Sequence, residues 1–121
     1  RRAVRNSMGG IFKLPCLHAE VRRFGTQAGV HVDDLSNALS SLHQQFNTRI
    51  IIADAHAETS IHDADFSGDI CIVLGNEDEG VSKDVEAIAT GRVRIPMHKE
   101  TDSLNVASAS AVMLYEARKK R

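Results

Sequence analysis

A chain of 121 residues, 42% hydrophobic and 26% charged, has the size and make-up of a single folded domain rather than a disordered tail. Folding at this length buries roughly two-thirds of the unfolded surface, so neither a disulfide nor a structural metal is required for stability. The formal net charge of −1 conceals an uneven spread. Arg1, Arg2, Arg5, Lys13, Arg22 and Arg23 face only Glu20 near one end, and Arg118, Lys119, Lys120 and Arg121 face only Glu116 at the other. The stretch between is strongly acidic. Basic ends around an acidic body suit a phosphate-bearing partner that touches part of the surface. An ordinary solvated face, with a helix end whose basic last turn matches its dipole, accounts for the same charges.

The first predicted element is a short strand, Ile11-Phe12-Lys13-Leu14, β-prone and closed by Pro15. Residues 16–32 contain Gly25 and Gly29, show no clean period, and read as irregular or as a short helix. From Asp33 the pattern turns helical. Asp33 or Asp34 can cap, and Leu35, Ala38, Leu39, Leu42 and Phe46 fall on one helical face. Arg49-Ile50-Ile51-Ile52-Ala53 and Asp69-Ile70-Cys71-Ile72-Val73-Leu74 are continuous apolar runs, the mark of strands buried on both faces of a parallel sheet. Helices are therefore expected on both sides. Ser82 can cap a short helix holding Val85, Ile88 and Ala89, with Gly91 as its stop, and Val93 with Ile95 predicts another strand ended by Pro96. A last helix runs from about Ser103 with Leu104, Ala107, Ala111 and Leu114 at helical spacing; its small residues 107–111 would let another backbone approach closely. The order predicts an α/β fold with a mainly parallel sheet flanked by helices.

In such sheets ligands bind beyond the carboxyl ends of the strands, and two loops leave strands at such ends. Gly75-Asn76-Glu77-Asp78-Glu79-Gly80-Val81-Ser82 has the glycine spacing of a phosphate-binding loop. However, Val81 stands where the lysine belongs, and three acids would repel a polyphosphate. A cationic ligand, or one held by backbone groups, fits better; a glycine-rich turn with a solvated acidic tip needs no ligand at all. The second loop, residues 95–106, places Ser103 and Asn105 at the mouth of the last helix. There, free backbone N–H groups and two polar side chains can meet a ligand. Ser and Asn are equally ordinary capping residues. His56-Ala57-Glu58 has the H-x-E of zinc deaminases but no C-x-x-C follows, and the six histidines are scattered, so no metal site is expected. No G-x-S-x-G elbow and no aromatic stacking platform occurs. Cys16 and Cys71 form no C-x-x-C, which suits a reducing, cytoplasmic setting, and no bilayer-length apolar run or signal-like segment is present, so no membrane partner is expected.

Taken together, three segments are far more specific. They are residues 5–15 (Arg-Asn-Ser-Met-Gly-Gly-Ile-Phe-Lys-Leu-Pro), residues 72–82, and Ile95-Pro96-Met97 with Ser103-Leu104-Asn105-Val106 and Tyr115-Glu116. In order and spacing they resemble the SpoU family of RNA 2′-O-ribose methyltransferases, of the SPOUT class, over nearly the whole chain. Residues 16–50 match in helix pattern only. The resemblance implies a C-terminal trefoil knot, S-adenosyl-L-methionine bent within it, and an RNA substrate, ribosomal or transfer, methylated at a ribose 2′-hydroxyl by a homodimer. It implies that Gly75, Ile95, Met97 and Leu104 bind the cofactor. Glu77, Ser103 and Asn105 match the family's functional polar positions. Ser103 and Asn105 would orient the ribose, with Glu77 an acceptor within the loop rather than a general base. The family's upstream Asn and Arg motif is not reproduced by Arg1–Arg5. The expectation is therefore one methyltransferase domain over residues 1–121, truncated at its N-terminus, able to bind cofactor yet inactive alone. The rivals are a non-catalytic RNA-binding or dimerisation module of the same fold, and a small nucleotide-binding α/β domain.

Overall fold

The computed structural model describes residues 35–75, 79–99 and 104–119, all within the compact unit Leu35–Arg121. The predicted strand at 11–14, the irregular stretch 16–32 and the capping Asp33 and Asp34 lie outside the described residues. Helix α1, Leu35–Phe46, ends where Asn47 takes a left-handed φ of 56°, a conformation that asparagine adopts readily. Its N–H still reaches the His43 carbonyl at 3.0 Å. Strand β1, Arg49–Ala53, follows directly.

β1 lies between β2, Ile70–Leu74, and β3, Gly91–Val93, with both pairings parallel. Ile51 stands opposite Ile72 and Gly91, and Ile52 opposite Val73 and Arg92. As the central strand, β1 buries Ile50, Ile51 and Ile52 completely or nearly so, which contributes roughly 1.5–3 kcal/mol for each side chain. In β2 only Val73 is buried, the rest being half-buried. The two-sided burial expected from its apolar run is thus complete only in β1, because β2 has a described neighbour on one side only.

Each face of the sheet is closed differently. Leu39 from α1 and Val85 from α2, Lys83–Ile88, cover Ile50, Ile52 and Val73. On the opposite face Met113 and Ala117 of α3, Val106–Lys119, join Ile61, Ala64 and Phe66 over Ile51 and Val93. Those three side chains come from residues 54–69, the crossover from β1 to β2. Parallel strands need a crossover of a dozen or more residues, usually helical, but this one is built of turns and bends. Helices cover both sides, as expected; on the second face the crossover loop adds Ile61, Ala64 and Phe66 to the cover, and Phe66 is fully buried.

Three more boundaries differ from the sequence reading. Gly91 begins β3 rather than stopping α2, because Thr90 is already tied into the sheet through its backbone N–H and hydroxyl, both donated to the Ile50 carbonyl. The strand ends at Val93. Arg94 continues as a bridge to Ser60 in the crossover, and Ile95 lies beyond the strand. Finally, α3 turns Met113 and Ala117 inward, whereas Ala107, Ala111 and Leu114, the row expected on one face, are exposed. Both rows have helical spacing, so periodicity alone could not choose between them.

Candidate functional site

A cavity of about 410 Å³ opens at the carboxyl ends of the three strands, within the roughly 300–1,000 Å³ typical of small-molecule sites. Four sequence-predicted residues line it together: Gly75, Ile95, Met97 and Leu104. Glu77 and Ser103 lie outside the described residues. Asn105 is exposed; its Oδ1 accepts the Ala107 N–H at 2.8 Å, and its carbonyl accepts the first helical bond, from Ala109 N–H, at 2.8 Å. It is therefore the N-cap of α3. With Oδ1 committed to the helix, its amide nitrogen keeps two donors for other partners.

Backbone proximity explains Gly75. A Cβ placed there would lie 2.7 Å from the Gly80 carbonyl carbon, 2.8 Å from Gly80 Cα and 3.0 Å from Val81 N. The two ends of the loop thus meet main chain to main chain, and Gly80 itself has a φ of 68°. Glu79, Gly80 and Val81 line the cavity together with Ile95 and Met97, which follow β3.

The lining is divided by chemistry. Leu74, Ile95, Met97, Leu104 and Val106 supply apolar surface, while Asp54, Glu79, Glu86 and Arg92 supply charge with an acidic excess. Asp54 follows the buried run of β1, and its N–H donates to the Val93 carbonyl at 2.9 Å, which anchors it to β3. Its Oδ1 accepts the His56 N–H at 2.9 Å and its Oδ2 accepts Arg92 Nη1 at 3.1 Å. The His56 N–H, followed by Arg92, holds the Asp54 carboxyl below its ordinary pKa against the opposing effect of burial. The same Arg92 Nη1 lies 3.6 Å from Glu86 Oε1.

Sequence reasoning missed Asp54, Glu86 and Arg92. Asp54 carried a usable signal, as the first polar residue after a buried strand at its ligand-binding end. Arg92 carried none, since it meets Asp54 only through the register of β1 and β3. Cys71 on β2 is half-buried, and desolvation pushes its thiol up in pKa, so it is a poor nucleophile at neutral pH. Among the described residues no group of three His, Cys, Asp or Glu side chains is placed to hold a metal. No described helix is long and apolar enough to cross a membrane.

An α/β domain with a cavity beyond its parallel strands, walled by a pinched glycine loop and by the segment entering the last helix, defines a small-ligand-binding class. Comparison with known proteins makes the class specific. A profile of the SpoU rRNA Methylase family matches residues 1–115, and the chain belongs to that family. It is 32% identical over 109 residues to the 23S rRNA (guanosine-2′-O-)-methyltransferase RlmB of Coxiella burnetii, covering 90% of this chain and 41% of that one. Against the tRNA (guanosine(18)-2′-O)-methyltransferase of Aquifex aeolicus it is 29% identical over 123 residues, covering 93% of this chain and 58% of the other. The chain thus spans roughly half the length of these relatives or less. Among solved structures it resembles an RNA 2′-O ribose methyltransferase (TM-score 0.78, 32% identity, 99% of this chain and 41% of that one). It also resembles the SpoU methyltransferase AviRb of Streptomyces viridochromogenes in complex with AdoMet (TM-score 0.77, 27% identity, 99% and 42%).

Proposed function

We propose that this chain is the S-adenosyl-L-methionine-binding domain of an RNA methyltransferase that acts on a ribose 2′-hydroxyl of ribosomal or transfer RNA. The observation that carries the reading is the convergence of Gly75, Ile95, Met97 and Leu104, from three separate segments, on one cavity. The lining suits this cofactor. Ile95, Met97 and Leu104 offer an apolar slot for adenine, and the pinched loop at Gly75 presents backbone groups where no side chain could fit. The acidic excess of Asp54, Glu79 and Glu86 over Arg92 favours a ligand that carries a sulfonium and an ammonium against one carboxylate, and opposes a nucleoside triphosphate. When bound, the cofactor supplies a methyl group activated by the sulfonium charge. The protein's part is alignment, since an in-line displacement requires the 2′-oxygen held behind that methyl and relieved of its proton.

In this reading Asn105 uses Oδ1 to cap α3 and its amide nitrogen to orient the ribose. Ser103 assists there, and Glu77 accepts hydrogen bonds within the loop. A C-terminal trefoil knot accounts for Ile95, Met97 and Leu104 sharing one cavity with Gly75, Glu79, Gly80 and Val81. The exposed Val112, Leu114 and Tyr115 on α3, beside its small residues, supply the face of a homodimer. The basic residues at both ends of the chain are candidates for contact with RNA phosphates, in a cytoplasmic setting.

Calorimetry tests the cofactor half. Binding of S-adenosylmethionine and no binding of ATP is expected; preference for ATP, or no binding of the former, refutes the reading. The reaction is tested on the encoded full-length polypeptide with ribosomal and transfer RNA, mapping the product by resistance to alkaline cleavage. Methylation on a base, with the 2′-hydroxyl left free, would overturn the ribose assignment. Asn105→Ser keeps a capping oxygen and removes the amide donors. A large fall in rate with little change in melting temperature is expected, and an unchanged rate removes Asn105 from the site.

A further inference from the structure

The charged residues of the cavity lining form a group of their own. Arg92 stands in the middle of β3, yet its guanidinium reaches two other elements at once, Asp54 Oδ2 at the end of β1 and Glu86 Oε1 on α2. All three side chains line the cavity. The side chains of Arg92 and Glu86 are each 40% exposed, and ion pairs that wet contribute little to stability. Their geometry is nevertheless defined, because the backbone of Asp54 is tied to Val93 and its carboxylate takes two donors. Positive and negative groups therefore alternate on one wall. Arg92 has five N–H donors and only Nη1 is occupied by these contacts, while each carboxylate keeps acceptor capacity. Such a wall is complementary to a group that itself carries an ammonium beside a carboxylate.

We infer that Asp54, Arg92 and Glu86 form a specificity element that reads the zwitterionic α-amino-acid end of the ligand. Arg92 pairs with its carboxylate, and Asp54 and Glu86 accept from its ammonium. This rests on the cofactor reading above and deepens it, since it assigns the charged and the apolar parts of one lining to the two ends of one ligand. The apolar slot takes the adenine and is indifferent to the amino-acid end; the ion-paired wall is the reverse.

The test compares two neutral thioethers, S-adenosylhomocysteine and 5′-methylthioadenosine, which share the adenosine and differ in whether the amino-acid end is present. Calorimetry on the unaltered chain is expected to show S-adenosylhomocysteine binding about tenfold tighter, the scale of one charge-assisted hydrogen bond. Arg92→Gln and Asp54→Asn should each remove about that factor for S-adenosylhomocysteine while leaving 5′-methylthioadenosine within about twofold. Arg92→Lys should recover part of the loss. If a substitution at Asp54 impairs folding, Glu86→Gln on the exposed side of α2 gives the same comparison. Equal affinity of the unaltered chain for the two compounds overturns the inference, as does a variant that weakens both alike, which is the signature of a merely structural pair. S-adenosylmethionine is titrated in parallel: if it binds while the two thioethers are not distinguished, the inference falls and the cofactor reading stands; if it does not bind, both fall.

Discussion

The two faces of the sheet are closed by unlike means. One is covered by α1 and α2 through Leu39 and Val85, the other by α3 together with an irregular crossover that inserts Ile61, Ala64 and Phe66. A helix satisfies its own backbone, so its cover needs only an apolar stripe. A loop pressed onto a sheet must have its polar groups tied individually. Here the ties are visible. Arg94 donates Nη1 to the carbonyls of Ala57 and Glu58, Arg49 donates Nη2 to those of Asp65 and Ser67, and the amide of Ile61 reaches the Arg94 carbonyl at 2.8 Å. What covers a sheet is decided by apolar area, and what lets a loop do it is a set of arginines at the strand ends.

The largest test of this contrast removes the centre of each cover. Phe66→Ala should cost about 3–5 kcal/mol in denaturant unfolding and Leu39→Ala about 2–5 kcal/mol, with the Phe66 loss the greater. Equal or reversed costs would show that the crossover is an ornament on the fold rather than part of its core. Next is Gly75→Ala, which forces a methyl against the Gly80 main chain. A loss of about 1–3 kcal/mol is expected, together with a fall in cofactor affinity; retention of both would mean that the loop is not pinched. A smaller effect, about 1–2 kcal/mol, is expected of Arg94→Ala, which leaves carbonyls of the crossover without their donor. Hydrogen exchange should then show the Ile61 amide losing protection while the amides of α1 keep theirs.

The smallest effect is a pH dependence at the seam between cavity and crossover. Asp54 has a folded pKa below its ordinary value of 3.8. A group depressed on folding adds stability that is fully present above the unfolded value and lost as pH falls through the folded one. The stability difference between the unaltered chain and Asp54→Asn should therefore be flat near neutrality and shrink below about pH 4. A difference that grew on acidification would contradict the pairing with the His56 N–H and Arg92.

Much of the site was legible because it rests on local signals. The break after an apolar strand, the glycines at 75 and 80, and the polar pair at 103 and 105 before a helix all mark turns or caps, and the family resemblance joined them. The cavity does gather Gly75, Ile95, Met97 and Leu104. Its charged wall was not legible. Asp54 and Arg92 are separated by 38 positions, and no spacing rule links them; the parallel register of β1 and β3 does. The inward face of α3 was likewise not legible, because two rows of apolar residues shared one period.

The amino-acid sequence by itself determined the α/β class and the approximate places of α1, β1, β2 and α2. These follow from periodicity, turn residues and local charge, which act over a few positions. Only the tertiary structure decided that the β1–β2 crossover is a buried loop, which row of α3 faces the sheet, and which charges meet in the cavity. Those choices depend on strand register and packing, where residues distant in the chain compete for the same apolar surface or counter-charge, and no local pattern records the outcome.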